Sequence, residues 1–367
     1  MKKKRNAPDY IVFFTAVTLL AIGVIMVFSA SSATAAGTRG DAYYYLKRQA
    51  LWAGLGIIAL VIFMNIDYRI WRRTGKLLLL LTIILLLLVL LPSVGQVGLG
   101  ARRWLSLGLI NIQPSEITKL SLVIYLAGYL AHKGEEIRKF WNGLFPALAL
   151  MGGTFLLILL QPDLGTAAAL AGTLAMMLFT AGAEMSHLLG LGLASLPVLL
   201  YAIFSEEYRA RRFFSFLNPE ADPLGSGYHI IQSLYALGSG GPVGLGLGRS
   251  RQKWYYLPER HTDFIYAIIG EELGFIGAVF VLLLFLLFAW RGFRVAITAP
   301  DSFGSLLAVG ITTMISLQAL INIGVVTGSL PITGIPLPLI SYGGSSLLPS
   351  LAAIGILLNI SSHCRTS

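Results

Sequence analysis

The chain has 367 residues, of which 56% are hydrophobic and 12% charged, with a formal net charge of +10. That composition excludes an ordinary soluble domain, because apolar runs long enough to cross roughly 30 Å of hydrocarbon recur along it. The excess of lysine and arginine reads as cations sorted to one side of a membrane, with no nucleic acid as partner.

The first element follows the basic run Lys2-Lys3-Lys4-Arg5. The apolar stretch 11–28, followed by Ala33-Thr34-Ala35, imitates a signal peptide and its cleavage site. The stretch exceeds the usual apolar region of about 7–15 residues and more spans follow, so it is read as a retained first helix. Further spans are expected at 50–66, 77–91, 115–131, 143–160, 164–181, 186–204, 263–290, 304–326 and 346–360. The fold class is therefore an all-α polytopic membrane protein of about ten transmembrane helices, one domain over 1–367.

An N-terminus inside also places Arg69, Arg72, Arg73, Lys76, Lys133, Arg138, Lys139, Arg291 and Arg294 inside. The short outer connections then hold Arg39, Lys47, Arg48, Arg102 and Arg103, an asymmetry that favours N-in and C-in. The long loop 205–262, between the seventh and eighth spans, falls outside the cell. Within it, Glu206 to Phe216 mixes arginines with phenylalanines in the pattern of an interfacial helix, and Tyr228 to Leu237 has helical apolar spacing but is too short to span. The only cysteine, Cys364, excludes an intrachain disulfide.

In this topology the even-numbered spans begin at the outer face, where helix N-termini carry partial positive charge. Three of these entrances carry acids: Glu116, Asp163 and Asp263. If the even spans cluster, one outward-facing polar cavity results. Asp263 closes the stretch Pro258-Glu259-Arg260-His261-Thr262-Asp263, an ionisable run at the mouth of a membrane helix. It reads either as a cap complementing the helix dipole or as a group that exchanges a proton. Glu116 and Lys119 lie three apart on one helix face, as a structural ion pair or a cavity lining. Asp163 follows Gln161-Pro162 as a cap or a site acid. Glu271 and Glu272 read as acids packed inside the bundle or near the inner interface. Arg48, Arg102 and Arg103 suit phosphate or lipid headgroups. The segment Leu330 to Pro338 cannot be regular helix, and its continuation through Ser341 and Ser345 offers hydroxyls and close backbone approach.

Together these residues resemble the SEDS family (shape, elongation, division, sporulation), the RodA/FtsW/SpoVE group. The resemblance is carried by Arg103-Trp104-Leu105, Gln113-Pro114-Ser115-Glu116-Ile117-Thr118-Lys119, Gln161-Pro162-Asp163-Leu164-Gly165-Thr166, Asn218-Pro219, Gly227-Tyr228-His229, Pro258 to Ile265, Gly270-Glu271-Glu272-Leu273-Gly274, and Leu330 through Ser346, in order along nearly the whole chain. Phe28-Ser29-Ala30-Ser31-Ser32 and the isoleucine-glycine run after Asp263 look closer to FtsW and SpoVE than to RodA.

The resemblance implies a multi-pass protein of the bacterial cytoplasmic membrane that polymerises lipid II into glycan strands at the outer leaflet. It maps the family's catalytic aspartate to Asp263, its acid–lysine pair to Glu116 and Lys119, and its Gln-Pro-Asp aspartate to Asp163. Arg48, Arg103, His261, Ser341 and Ser345 join these as expected substrate contacts. A class B penicillin-binding protein is the implied partner. Dependence on magnesium or manganese is implied too, although no ligand spacing locates an ion. A lipid II flippase and a noncatalytic scaffold for division or sporulation are the alternatives.

Overall fold

The computed structural model describes residues 6–98, 101–106, 108, 111–254 and 256–364; the basic run Lys2 to Arg5 lies outside them. Twelve α-helices follow in chain order: α1 (Tyr10–Arg39), α2 (Tyr44–Asn65), α3 (Arg69–Leu90), α4 (Pro114–Lys133), α5 (Phe145–Leu159), α6 (Leu164–Thr180), α7 (Met185–Phe204), α8 (Glu207–Leu217), α9 (Tyr228–Gly240), α10 (Ile265–Thr298), α11 (Ser302–Val326) and α12 (Gly344–Ser361). Among the described residues, eight helices are long and apolar enough to cross a membrane. The shorter apolar α6 and the charge-bearing α4 stand where two further spans were expected.

The sequence signals account for most helix ends. Asp9 caps α1 by accepting from the N–H groups of Ile11 and Val12, and Asp163 and Asp301 cap α6 and α11 in the same way. Proline opens α4, where its missing N–H costs nothing. Helix α11 is buried along most of its length and packs on α4, α6 and α10, while α2 pairs with α12 and α3 with α4. The outward sides of α2, α3 and α7 keep residues such as Leu55, Ile58, Leu80, Leu193 and Tyr201 exposed. Such a surface is stable only against hydrocarbon.

Two features depart from the expected all-helical reading. Three short strands, β1 (Gly95–Gly98), β2 (Ala101–Ser106) and β3 (Asn111–Ile112), form an antiparallel sheet in the order β1-β2-β3. Short strands in a glycine-rich connection carry too little alternation to be read from sequence. Helix α1 also runs well beyond residue 28, because its polar extension is buried: Ser29 Oγ donates to the carboxylate of Glu272 on α10 at 2.6 Å and 2.8 Å. Of the two readings of Glu271 and Glu272, packing inside the protein holds, each being only 1% exposed. Both expected helices of the long loop are present, as α8 and α9.

The starts of α2, α4, α6, α10 and α12 gather at one end. Tyr45 of α2 packs against His261, ahead of α10, and edge-on against Tyr342, ahead of α12. Gln113, ahead of α4, donates to the Asp163 cap of α6 at 3.3 Å. The clustering on which an outward cavity depends is therefore realised. A cavity of about 450 Å³ lies elsewhere, among the far ends of α4, α6 and α10 and the start of α11.

Candidate active site

Asp263 owes its position to main-chain ties on both sides. Glu259 takes a positive φ of 50°, and its carbonyl accepts from the N–H groups of Thr262 and Phe264 at 3.1 Å each. Asn322 of α11 donates to the carbonyls of Asp263 and Ile335 at 2.7 Å and 2.8 Å. Ser341 Oγ donates to Thr262 O at 2.6 Å and accepts from Leu337 N–H at 2.8 Å, and Tyr342 N–H donates to His261 O at 2.9 Å. The irregular segment 331–342 is thus a brace for the Asp263 turn, the kind of buried non-helical backbone tolerated at membrane depth.

The Asp263 carboxylate itself makes no hydrogen bond or ion pair among the described residues, although its main chain is held firmly. Gly334 stands beside it, where a Cβ would come within 3.6 Å of Oδ2. Burial raises its pKa to about 7, with the Glu259 and Asp163 charges adding and the Arg212 and Arg103 guanidiniums opposing. An unengaged carboxylate poised near neutrality suits a general base.

Arginine supplies the positive side. Arg103, on β2, donates from Nε to Gln161 O at 2.9 Å and also bonds Pro162 O, with Nη1 4.0 Å from Asp163. Asp163 is itself satisfied as a buried cap, accepting from Thr166 N–H at 3.1 Å and Thr166 Oγ1 at 3.0 Å. A cleft of about 80 Å³ is lined by Arg103, Leu164, Tyr208, Arg209, Arg212 and Thr333, among others. Within it Arg209 is tied to Ala202 O at 2.8 Å and to the Tyr208 hydroxyl at 2.9 Å. Arg212 is exposed and makes no ion pair among the described residues. Sequence reading placed Arg212 in an interfacial helix and overlooked it as a site residue. The available signal was that Arg209 and Arg212, three apart, share one face of α8.

The other expected contacts fall into two groups. Glu116 and Lys119 form a buried ion pair at 2.9 Å, and the ammonium also donates to Gln318 Oε1 at 2.6 Å. Gln318 in turn donates to Pro336 O at 2.9 Å, so the pair supports the same brace that holds Asp263. On the α2 side, the exposed Arg48 lies 5.1 Å from the Tyr44 ring centre. His261 packs 4.7 Å from Tyr45 and 5.7 Å from Tyr342, and burial lowers its pKa to about 4, which keeps it neutral. Ser341 is a buried pin of the turn. Ser345 is buried in the first turn of α12 and makes no side-chain hydrogen bond to the Asp263 group. Among the described residues no three acid, histidine or cysteine side chains converge on one point.

Comparisons with known proteins match the chain as a whole. Residues 9–366 match the FtsW/RodA/SpoVE family model, described as a cell cycle protein. The chain is 50% identical over 365 residues to stage V sporulation protein E of Bacillus subtilis (strain 168), covering 100% of both. It is 46% identical to a Geobacter sp. (strain M18) protein named "Probable peptidoglycan glycosyltransferase FtsW", over 97% of each. A solved chain from a peptidoglycan synthase complex, described as coordinating polymerization and crosslinking, superposes with a TM-score of 0.80 at 33% identity, over 97% of this chain and 98% of that one. Thermus thermophilus rod shape determining protein RodA gives 0.73 at 30% identity, over 98% and 99%. With nearly its whole length matched in sequence and in fold, the chain belongs to the FtsW/RodA/SpoVE family of multi-pass membrane proteins.

Proposed function

We propose that this chain is a peptidoglycan glycosyltransferase that polymerises lipid II at the outer leaflet of the bacterial cytoplasmic membrane, with Asp263 as general base. The observation that carries this reading is an unengaged carboxylate, poised near neutrality, beside a cleft lined by the guanidiniums of Arg103, Arg209 and Arg212. Lipid II joins its disaccharide to undecaprenol through an α-linked diphosphate, and the product linkage is β-1,4. One inverting displacement accomplishes this. Asp263 takes the proton of the acceptor 4-hydroxyl as that oxygen bonds to the donor C1, and the C1–O bond to the diphosphate breaks. Arg103 and Arg212 hold the departing diphosphate, whose charge they stabilise as it develops. Arg48 supplies a third cation on the α2 side. Lys119 acts from behind the site, its ammonium held by Glu116 and Gln318 in the support of the Asp263 turn.

The orientation proposed puts Asp263 outside and both termini inside. It is supported by Arg69, Arg291 and the chain ends, which lie together at the other end: Tyr68 and Arg69 meet Asp301, and Arg291 meets Asp9 at 2.5 Å. A crosslinking transpeptidase, a class B penicillin-binding protein, is the proposed partner, as the synthase-complex relative suggests.

The deciding experiment is polymerisation of labelled lipid II by the purified chain with its transpeptidase, comparing wild type with Asp263→Ala. Polymer from wild type alone is expected. Equal polymer from both proteins would remove Asp263 from the mechanism, and transbilayer movement of lipid II without any polymer would make the chain a flippase.

The pH dependence follows from the sign of the shift. The base must be deprotonated, so kcat rises with pH through about 7 and levels off above it. Arg212→Gln removes a cation that opposes the burial effect, so the acid limb is expected to move to higher pH. A limb that stays in place, measured by initial rates across pH 5–9, would separate Arg212 from Asp263.

A further inference from the structure

Helix α10 is broken at Gly274, whose φ of 70° and ψ of −170° lie outside helical space. A break inside a buried helix strands backbone groups on both sides, and each needs a partner. Residues 241–246 of the long loop enter the gap. The N–H groups of Leu245 and Gly246 donate to the carbonyls of Glu271 and Glu272 at 3.0 Å each. Across the break, the N–H groups of Phe275 and Ile276 donate to the carbonyls of Gly241 and Pro242 at 2.8 Å and 3.1 Å. The two backbones cross so closely that a Cβ on Gly244 or Gly274 would collide with the other segment.

Two buried carboxylates close the seam. Glu271 accepts from Arg251 N–H at 2.8 Å and from Ser250 Oγ at 2.5 Å. Glu272 accepts from the N–H groups of Gly248 at 3.0 Å and Ser250 at 3.2 Å, from Ser29 Oγ on α1, and lies 3.5 Å from Lys253 Nζ. One side chain thereby joins α1, the loop and α10. The half-helix that results, residues 265–273, directly follows Asp263. So short a helix has little stability of its own, and its direction depends on what holds its far end.

We propose that Glu272, with Glu271 beside it, is a positioning residue for glycosyl transfer. It locks the loop into the break of α10 and so sets where the half-helix presents Asp263. The inference rests on Asp263 being the base. A displacement of about 1 Å at a reacting group costs on the order of a hundredfold in rate, so the lock acts on kcat more than on binding.

The test uses the purified chain with its transpeptidase, lipid II as substrate, and rates normalised to folded protein. Glu272→Gln preserves volume but turns an amide donor toward the donors of Gly248 and Ser250. It is expected to lower kcat about tenfold or more with KM within about twofold of wild type, and Glu272→Asp is expected to recover part of the loss. Ser29→Ala removes a single donor from the lock and is expected to lower kcat about threefold at unchanged KM, which keeps the test open if Glu272→Gln does not fold. Wild-type kcat per folded molecule in Glu272→Gln overturns the proposal, and so does wild-type kcat in Ser29→Ala where Glu272→Gln yields no folded protein. Asp263→Asn in the same assay separates the two readings. If it is active, the base assignment fails. If it is inactive while the Glu272 and Ser29 variants run at wild-type rate, only the positioning role fails.

Discussion

Replacing Asp263 with asparagine is expected to lower kcat for lipid II polymerisation by about a thousandfold, the middle of the range supplied by a positioned proton acceptor. Asparagine matches the carboxylate in shape and lacks its basicity, so substrate affinity should persist. Binding of lipid II, measured with a fluorescent analogue, is expected to change by less than about threefold, because Arg48, Arg103 and Arg212 remain. The fold should not suffer. The main chain of this turn is held by Asn322, Ser341 and Tyr342, and the carboxylate itself bonds to nothing among the described residues. Its charge is a liability to stability. A carboxyl whose folded pKa is raised contributes stability that is complete below its unfolded pKa and is lost as pH rises through about 7. At pH 8 the asparagine variant should therefore melt no lower than wild type. A large fall in melting temperature together with the loss of activity would recast Asp263 as a structural cap.

The second large effect belongs to Glu116 and Lys119, and it is one of stability. Each is buried, at 4% exposure, and they meet at 2.9 Å. Removing one member of a buried pair leaves an uncompensated charge and costs about 3–5 kcal/mol. Glu116→Gln is expected to lose that much, read as a fall in melting temperature in detergent, since the ammonium keeps only Gln318. The double variant Glu116→Gln/Lys119→Met removes both charges and should regain most of the loss. Its polymerisation rate should still fall, because Gln318 loses the partner that orients it toward Pro336, in the brace of the Asp263 turn. Additive losses of stability in the two single variants and the double variant would show that the residues do not act as a pair.

Much of the architecture was legible because membrane spans announce themselves locally. An apolar run of sufficient length has no alternative to a helix in hydrocarbon, and caps such as Asp9, Asp163 and Asp301 punctuate it. Asp263 was legible for a related reason, since an ionisable cluster at a helix mouth is conspicuous against apolar sequence. The small sheet that carries Arg103 was not, and neither was the break at Gly274, which occurs inside an apolar stretch with no proline to mark it. Arg212 was read as one more cation of an amphipathic helix, because its neighbourhood depends on how the long loop folds back.

The sequence by itself determined the class of molecule, the order of its spans and the acid at its centre, since these depend on local polarity and on residue types in series. Only the tertiary structure decided which charges remain available. Lys119 and Asp163 are engaged by partners, whereas Asp263 and Arg212 are left without ion pairs among the described residues, beside a common cleft. The physical reason is that a side chain's availability depends on what packing brings to it. Glu116 and Thr166 lie three residues from the charges they engage, but Gln318 reaches Lys119 from 199 residues away and Gln113 reaches Asp163 from 50, beyond the reach of any local pattern.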